Sequence, residues 1–371
     1  MDPTKKENYK SLLKTSSSTE DIYEKKLQEF EYYINEIKHI YKQGIKELKD
    51  NYLNDFNKKY EKNSLLEDEN YVGFRNNSLI SLNELNEVQF KEICRIDFKK
   101  MNELELNFKD NINIDVLSKA TFHNIAFLGL LGRIKDINIL SKLPFKSLKT
   151  LFLENNDFYN TNIDFFKNVP FCGLNKLILS NNNIHNIWGL SKSPFKELTK
   201  LELNSNSISD IKPLQEFPFK KLEYLNLYGN KIEDINSLSN VQFNYLKALI
   251  LTKNKIVNIN VFSTVKFYNL ENLLLDDNKI KNIEVFSKVP FTNLCVLDLR
   301  ENLIENINVL SKTSFIQRLK YLKLNKNKIN NFNVLTNIHF YITIYLDRIQ
   351  YYNIQNRDKI VLGSNLYINT E

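Results

Sequence analysis

Two consecutive stretches decide the fold: FKKLEYLNLYGNKIEDINSLSNVQ, Phe219–Gln242, and FNYLKALILTKNKIVNINVFSTVK, Phe243–Lys266. They differ at more than half of their positions, but one Phe, three Leu, one Asn and two Ile recur at the same offsets. The same spacing runs through ten units over residues 98–339, with steps of 23 to 26 residues between the Phe residues that open them. Seven positions kept at this period predict a solenoid of stacked coils.

Each recurring residue type has a place in such a coil. The alternation of Leu225, Asn226 and Leu227 has the period of a strand, so the two leucines point inward and Asn226 points outward. The repeat Phe fills the back, where the chain returns through a short helical or 3-10 segment. A recurring buried Asn must be hydrogen-bonded, and its amide can tie its own coil to the next one. This asparagine ladder comprises Asn156, Asn182, Asn206, Asn230, Asn254, Asn278, Asn302 and Asn327.

The segments LEYLNLYGNKI and LTKLELNSNSI resemble the leucine-rich repeat family, and the resemblance covers residues 98–339. The 24-residue length is similar to the short-repeat branch, which includes a regulator of protein phosphatase 1 and the bacterial internalins. The resemblance implies an α/β leucine-rich repeat solenoid that binds other proteins, with a curved parallel sheet on the concave side and short helical or 3-10 turns on the back. Lys109 and Arg133 stand where Asn is expected, so we expect an imperfect ladder in the first two coils.

The regions outside the repeats differ in pattern. Residues 1–17 are expected to be disordered, and 64–97 and 340–371 are expected to cap the two ends of the solenoid. Residues 18–63 carry apolar side chains spaced by three or four, which predicts an amphipathic helix. That helix could form a coiled-coil dimer, fold back as a hairpin at Gly44, or lie along the solenoid.

The composition offers little for catalysis. The chain has 371 residues, a formal net charge of +7, eight Gly and four scattered His. Cys94, Cys172 and Cys295 are far apart and form no CxxC pair, and no metal-ligand or nucleophile motif occurs. We therefore predict a protein that is not an enzyme and needs no cofactor or metal. The first residues lack the apolar core of a signal peptide, and no apolar stretch is long enough to span a membrane, so we expect a cytoplasmic location.

The functional residues are expected on the concave side of the sheet, at the fifth, seventh and ninth positions after each repeat Phe. Large apolar side chains recur there without a structural need for them, which indicates a partner interface. Tyr and Arg, both enriched at hot spots, occur there too. Asp276, Asp277, Asp298 and Glu301 flank the apolar run and favour a partner surface that is apolar and basic. The predicted binding residues are Phe127, Phe152, Ile178, Tyr224, Tyr228, Ile250, Leu274, Asp276, Asp298, Arg300, Tyr321 and Lys323.

Two other functions remain open on the sequence. Ser-Lys pairs recur at 118–119, 141–142, 191–192, 287–288 and 311–312, and a stacked row of lysines could bind nucleic acid or anionic lipid. Solubilising charge at the ends of short helical turns explains the same pattern and is favoured, because no aromatic stacking platform accompanies the lysines. The third possibility is a structural homodimer formed through residues 18–63.

Overall fold

The computed structural model describes residues 71–72, 79–85, 103–108, 113–119, 124–134, 136–159, 163–337, 343–347 and 365–369. Contacts divide the chain into two units, residues 1–76 and 77–371. Within the first unit the structure describes strand β1, Tyr71–Val72. The predicted tail, 1–17, and the predicted helix, 18–63, lie outside the described residues.

The second unit contains a parallel sheet whose neighbouring strands follow one another in chain order. Equivalent residues of successive coils lie opposite each other, as Leu225 pairs with Leu249 and Leu249 pairs with Leu273. The strands are β2 (Leu79–Leu85), β3 (Glu103–Phe108), β4 (Phe127–Leu131), β5 (Thr150–Phe152), β6 (Lys176–Ile178), β7 (Lys200–Glu202), β8 (Tyr224–Asn226), β9 (Ala248–Ile250), β10 (Asn272–Leu274), β11 (Val296–Asp298), β12 (Tyr321–Lys323), β13 (Thr343–Asp347) and β14 (Asn365–Asn369). Pairing in this order is what the repeat period predicts for a solenoid. The cap boundaries stay predictions.

Short 3-10 helices carry the chain back between strands. In most of them an Asn or Asp side chain accepts a hydrogen bond from the backbone N–H two residues later, as Asn186 Oδ1 does from Trp188 N at 2.9 Å. This bond satisfies a donor that the short helix leaves unpaired. The helices span Asp115–Lys119, Ile137–Lys142, Ile163–Asn168, Trp188–Lys192, Lys212–Glu216, Asn236–Asn240, Asn260–Ser263, Glu284–Lys288, Asn308–Lys312 and Asn333–Asn337.

The core is a continuous apolar column between the sheet and these helices. The inward leucines of the strands, such as Leu225 and Leu227, are fully buried. The repeat Phe residues stack behind them, since the ring centroids of Phe171 and Phe195 lie 6.1 Å apart and those of Phe195 and Phe219 lie 6.4 Å apart. Because no coil can bury its own leucines and phenylalanine, each coil depends on its neighbours for a core.

The asparagine ladder connects the coils as the sequence predicts. Asn230 Nδ2 donates to the carbonyl oxygens of Leu203 and Leu227, both at 3.0 Å, and its Oδ1 accepts from Ile208 N at 3.0 Å. Leu203 and Ile208 belong to the preceding coil, so one amide closes its own turn and holds the previous one. Eight consecutive coils carry a ladder asparagine. Seven of these asparagines are buried, and Asn327 is half-buried.

The ladder begins imperfectly, as expected from Arg133. Asn156 is 97% buried, yet its Oδ1 has no hydrogen-bond partner among the described residues. In the regular coils this oxygen accepts from a backbone N–H of the coil before, and the coil before Asn156 is one residue short and has Arg133 in place of Asn. The Asn156 amide still donates to Leu130 O at 2.8 Å, so the first ladder residue makes only part of the usual set of bonds.

The residue just before each ladder asparagine adopts a left-handed conformation. At these positions φ lies between +53° and +64°. L-residues with a side chain pay an energetic penalty there of roughly 1 kcal/mol. Gly229 is the only glycine among the eight; the others are Asn155, Asn181, Ser205, Lys253, Asp277, Glu301 and Lys326. Gly, Asn and Asp tolerate this conformation, so tertiary structure rather than local preference determines the turn in the four coils with Ser205, Lys253, Glu301 and Lys326.

Candidate functional site

The outward side chains of the strands form the surface on which function was predicted, here called the sheet face. It consists of the residues at the fifth, seventh and ninth positions after each repeat Phe and their equivalents in β12 and β13. Tyr228 and Tyr321 are the most exposed of the predicted binding residues, at 36% and 43%. Phe127, Phe152, Tyr224, Ile250, Leu274, Asp276, Arg300 and Lys323 are partly exposed.

Two of the predicted binding residues are buried, which corrects the expectation that they are exposed. Ile178 is 8% exposed because it lies between large neighbours, Phe152 on β5 and Glu202 on β7, in the same register. Asp298 is 1% exposed because Arg300 and Lys323 cover its carboxylate. Both side chains lie beneath more accessible neighbours, and their role in binding stays a prediction.

The middle of the sheet face, strands β8 to β10, presents the apolar surface that the sequence predicts. Tyr224 and Tyr228 lie on β8 and just after it, Ile250 lies on β9, and Leu274 lies on β10. Lys200 Nζ stands 4.7 Å from the centroid of the Tyr224 ring and 2.7 Å from Glu202 Oε1. Burial, followed by the negative charge of Glu202, raises the pKa of the Tyr224 hydroxyl. The tyrosine is therefore a neutral, orientated ring beside the apolar residues.

Strands β10 to β12 carry a charge cluster that joins four of the predicted residues. Arg300 Nε and Nη2 each donate to the Asp298 carboxylate at 2.8 Å, in a two-point contact. Arg300 Nη2 also lies 3.5 Å from Asp276 Oδ2, and Lys323 Nζ lies 3.2 Å from Asp298 Oδ2. Thr252 Oγ1 donates to Asp276 Oδ1 at 2.6 Å. Two carboxylates and two cations therefore balance one another here, and the geometry holds the guanidinium rigidly.

The charge cluster pairs part of the acidic flank that was predicted to face a basic partner. Arg300 and Lys323 together balance the charges of Asp276 and Asp298, so these carboxylates offer little net charge to a basic partner. Glu301 lies at the left-handed turn beyond the sheet face, where Lys326 Nζ is 3.2 Å from its Oε1. Three of the four acidic residues of the flank are therefore paired, and Asp277 is exposed, so the basic character of the partner stays a prediction.

The charge cluster predicts that the stability of the fold depends on pH. Burial raises the pKa of Asp276, and the negative charge of Asp298 adds to this, while Thr252 and Arg300 oppose it. A carboxyl group with a raised pKa holds its proton more tightly in the folded state, so its ionisation destabilises the fold as the pH rises from about 4 through the folded pKa. Wild type should gain stability relative to Asp276→Asn as the pH falls from 7 to 4.

Urea unfolding at pH 4, 5, 6 and 7 measures this difference, with Asp277→Asn as a matched change on the exposed neighbouring residue. The amide of Asp276→Asn can still accept the bond from Thr252, which keeps the variant conservative. A stability difference between wild type and Asp276→Asn that is constant over this range would contradict the prediction.

The sheet face also contains an acidic region that the choice of binding residues passed over. Glu103 and Glu105 on β3 and Glu154 just after β5 point outward, as the alternating burial of β3 shows. They surround Phe127 and Phe152, which were chosen for their apolar character. The repeat offsets alone place these glutamates on the sheet face, so the sequence itself contains the signal for this acidic region.

The Ser-Lys pairs have a local structural role. Ser191 Oγ donates to Trp188 O at 2.7 Å, and the serines of the other pairs bond in the same way to the carbonyl three residues earlier. Lys192 and Lys288 are exposed, but the equivalent residues of the three coils between them are Glu216, Asn240 and Thr264. The row of lysines is therefore interrupted, and this arrangement does not support a continuous anionic-ligand site.

No arrangement for catalysis emerges from the part of the chain that the structure describes. There, no group of three or more His, Cys, Asp or Glu side chains is placed to hold a metal ion. His185 lies beside the ring of Tyr159, with 5.6 Å between centroids, and both are exposed. A polar groove of about 470 Å³ lies between the helices Lys212–Glu216 and Asn236–Asn240, and its Asp210 and Asp234 already cap those helices.

None of the described helices combines the length and the apolar character that crossing a bilayer requires. The cytoplasmic location stays a prediction.

Comparison with known proteins agrees with this architecture. A family model described as leucine-rich repeats in two copies matches residues 196–240, and no curated protein matches the sequence. An internalin from Listeria monocytogenes superposes with a TM-score of 0.59 at 20% identity, covering 79% of this chain and 87% of that one. A leucine-rich repeat protein from Leptospira interrogans gives a TM-score of 0.54 at 18% identity, covering 78% and 77%.

A third similar structure comes from a plant. The ectodomain of a membrane receptor kinase from Arabidopsis thaliana, in complex with Casparian strip integrity factor 2, gives a TM-score of 0.52 at 16% identity. The match covers 78% of this chain but only 38% of the ectodomain. At these identities the structures establish the fold alone. Together with the family model that matches residues 196–240, they show that this chain has a leucine-rich repeat fold.

Proposed function

We propose that the chain is a non-catalytic scaffold that binds a protein partner on its sheet face. The observation that carries the proposal is the group of large, accessible side chains on β9, on β10 and just after β8, namely Ile250, Leu274 and Tyr228. The core is already filled by the inward leucines, so these outward residues are not needed for folding. Partly exposed apolar and aromatic residues, grouped on one surface, are typical of protein interfaces.

The charge cluster supports the same surface. Arg300 is held in a fixed orientation by Asp298 and Asp276, so ordering it in a complex would cost little side-chain entropy. Rigid aromatic and arginine side chains are the types that contribute most at interfaces. The plant ectodomain with a similar fold is itself in complex with a protein factor, which supports protein recognition by this fold but gives no information about the partner of this chain.

The proposal is tested by affinity purification from the source cell with wild type and with Tyr228→Ala, Ile250→Glu and Leu274→Glu. Each glutamate introduces an unpaired charge into a contact that excludes water, so we expect at least a tenfold loss of the recovered partner. Mass spectrometry identifies and quantifies the protein recovered.

Val257→Glu and Tyr268→Ala are matched controls, because both residues are exposed, at 53% and 56%, and both lie off the sheet face. Circular dichroism checks that all variants are folded. Equal recovery with the three sheet-face variants and the two controls would show that the partner binds elsewhere.

A further inference from the structure

We infer that strands β3 to β5 of the sheet face bind a segment of the partner that is both basic and apolar. The surface concerned, called the acidic aromatic patch, consists of Glu103, Glu105, Phe127, Phe152 and Glu154. The inference rests on the proposed function, since it assigns a chemistry to one part of the same face. It also moves the expected basic contact away from β10 and β11, where Arg300 and Lys323 neutralise the carboxylates.

Strand register brings the acidic and aromatic side chains together. Glu103 pairs with Phe127 across β3 and β4, and Glu105 pairs with Gly129, which in turn pairs with Phe152 on β5. Neighbouring strands lie about 4.8 Å apart, so each Phe ring has a carboxylate within one or two strands. The patch therefore alternates acidic and aromatic groups over a small area.

Gly129 allows this arrangement at the centre of the patch. A Cβ atom added there would stand 2.9 Å from Glu105 Cγ and 3.3 Å from Phe127 Cε1. Both distances are too short for comfortable contact, so the side chains of Glu105 and Phe127 lie over β4 because residue 129 has no side chain. The apolar stem of Glu105 and the Phe127 ring therefore lie close together against the backbone at the centre of the patch.

The charge of the patch differs from that of the remaining chain. The nine outward residues of β3 to β5 include three glutamates and no lysine or arginine, whereas the chain as a whole has a formal net charge of +7. Within the described residues, no ion pair joins Glu103 or Glu154 to a cation. Glu154 Oε1 accepts one bond from Asn181 Nδ2 at 2.8 Å, which orients the carboxylate and leaves its charge in place.

A lysine or arginine carried by an apolar segment fits this combination. The cation is attracted by the carboxylates and by the faces of the Phe rings, and its aliphatic stem can lie on the same rings. An acidic segment would meet the like charges of Glu103 and Glu154, which penalises the wrong partner. A purely apolar segment would leave the carboxylates desolvated without a counter-charge.

The test uses three fluorescein-labelled peptides, (Lys-Leu)4, (Lys-Ser)4 and (Glu-Leu)4, and fluorescence anisotropy at low salt with the full chain. Two exposed ion pairs contribute together up to about a tenfold change in affinity. We expect the doubly substituted Glu103→Gln/Glu154→Gln to bind (Lys-Leu)4 three- to tenfold more weakly than wild type. (Lys-Ser)4 should bind wild type more weakly than (Lys-Leu)4, and (Glu-Leu)4 should bind least.

Glu216→Gln/Glu305→Gln is the matched control, because both residues are exposed and lie off the sheet face. The inference is overturned if Glu103→Gln/Glu154→Gln binds (Lys-Leu)4 as tightly as wild type, or if the control loses as much affinity. It is also overturned if (Lys-Ser)4 binds as well as (Lys-Leu)4, since the rings would then contribute nothing.

A second arm repeats the affinity purification with Glu103→Gln/Glu154→Gln. Reduced recovery of the partner supports the inference. Full recovery with this variant, when Ile250→Glu loses the partner, overturns the inference and leaves the proposed function standing. Full recovery with both variants contradicts the proposed function as well.

Discussion

Phe195→Ala should lower the free energy of unfolding by about 4 kcal/mol. Phe195 is fully buried, and its ring contacts those of three other residues, with centroid distances of 5.5 Å to Phe166, 6.1 Å to Phe171 and 6.4 Å to Phe219. Removing it leaves a cavity between consecutive coils that neither neighbour can fill without breaking its own stack. Urea unfolding, followed by circular dichroism, measures the loss.

The matched control is Tyr245→Ala, which removes an aromatic ring that is 57% exposed on the back of the solenoid. Its effect should be well below 1 kcal/mol, because surface substitutions away from special features change stability little. If Phe195→Ala costs no more than Tyr245→Ala, the column of Phe rings is not an essential part of the core.

Asn230→Ala should cost about 3 kcal/mol. The substitution leaves the buried carbonyl oxygens of Leu203 and Leu227 without the amide donor and leaves Ile208 N without its acceptor. Alanine can replace none of these bonds. The unfolding free energy in urea is again the measurement.

Asn156→Ala provides the internal comparison for that prediction. Its Oδ1 has no partner to lose, so the substitution removes donors alone and should cost less than Asn230→Ala, by about 1 kcal/mol. An equal or larger cost at Asn156 would mean that the backbone bond accepted by Oδ1 in the regular coils does not contribute to stability.

The strand order and the core could be predicted from the sequence because a strict period fixes the register. Because Leu225, Leu249 and Leu273 recur every 24 residues, stacking of the coils places them opposite each other. The other inward residues of the repeat are aligned in the same way and form the core. The left-handed turn before each ladder asparagine could not be predicted from the sequence in the same way. Gly229 signals it in one coil, but Lys253 and Glu301 adopt the same conformation without any local preference for it.

The sheet face was only partly predictable, for a different reason. The offsets identify which residues point outward, but not how exposed or how charged each remains. The exposure and the net charge of each outward residue depend on side chains of neighbouring coils, as the burial of Asp298 by Arg300 and Lys323 shows. Ile178 is buried by the same kind of contact between strands. Contacts between residues about 24 positions apart cannot be predicted from the sequence pattern of one coil.

The asparagine ladder has a direction. Each amide reaches back to the coil before it, as Asn254 Nδ2 does to Leu227 O at 3.0 Å, and each coil after Asn182 does the same. A whole coil inserted among the regular units would bring its own amide, donate backward and receive the next one, without an unmatched group at either junction. The number of coils can therefore change by whole 24-residue units without leaving an unpaired group between neighbouring coils. Such a change would lengthen or shorten the sheet face.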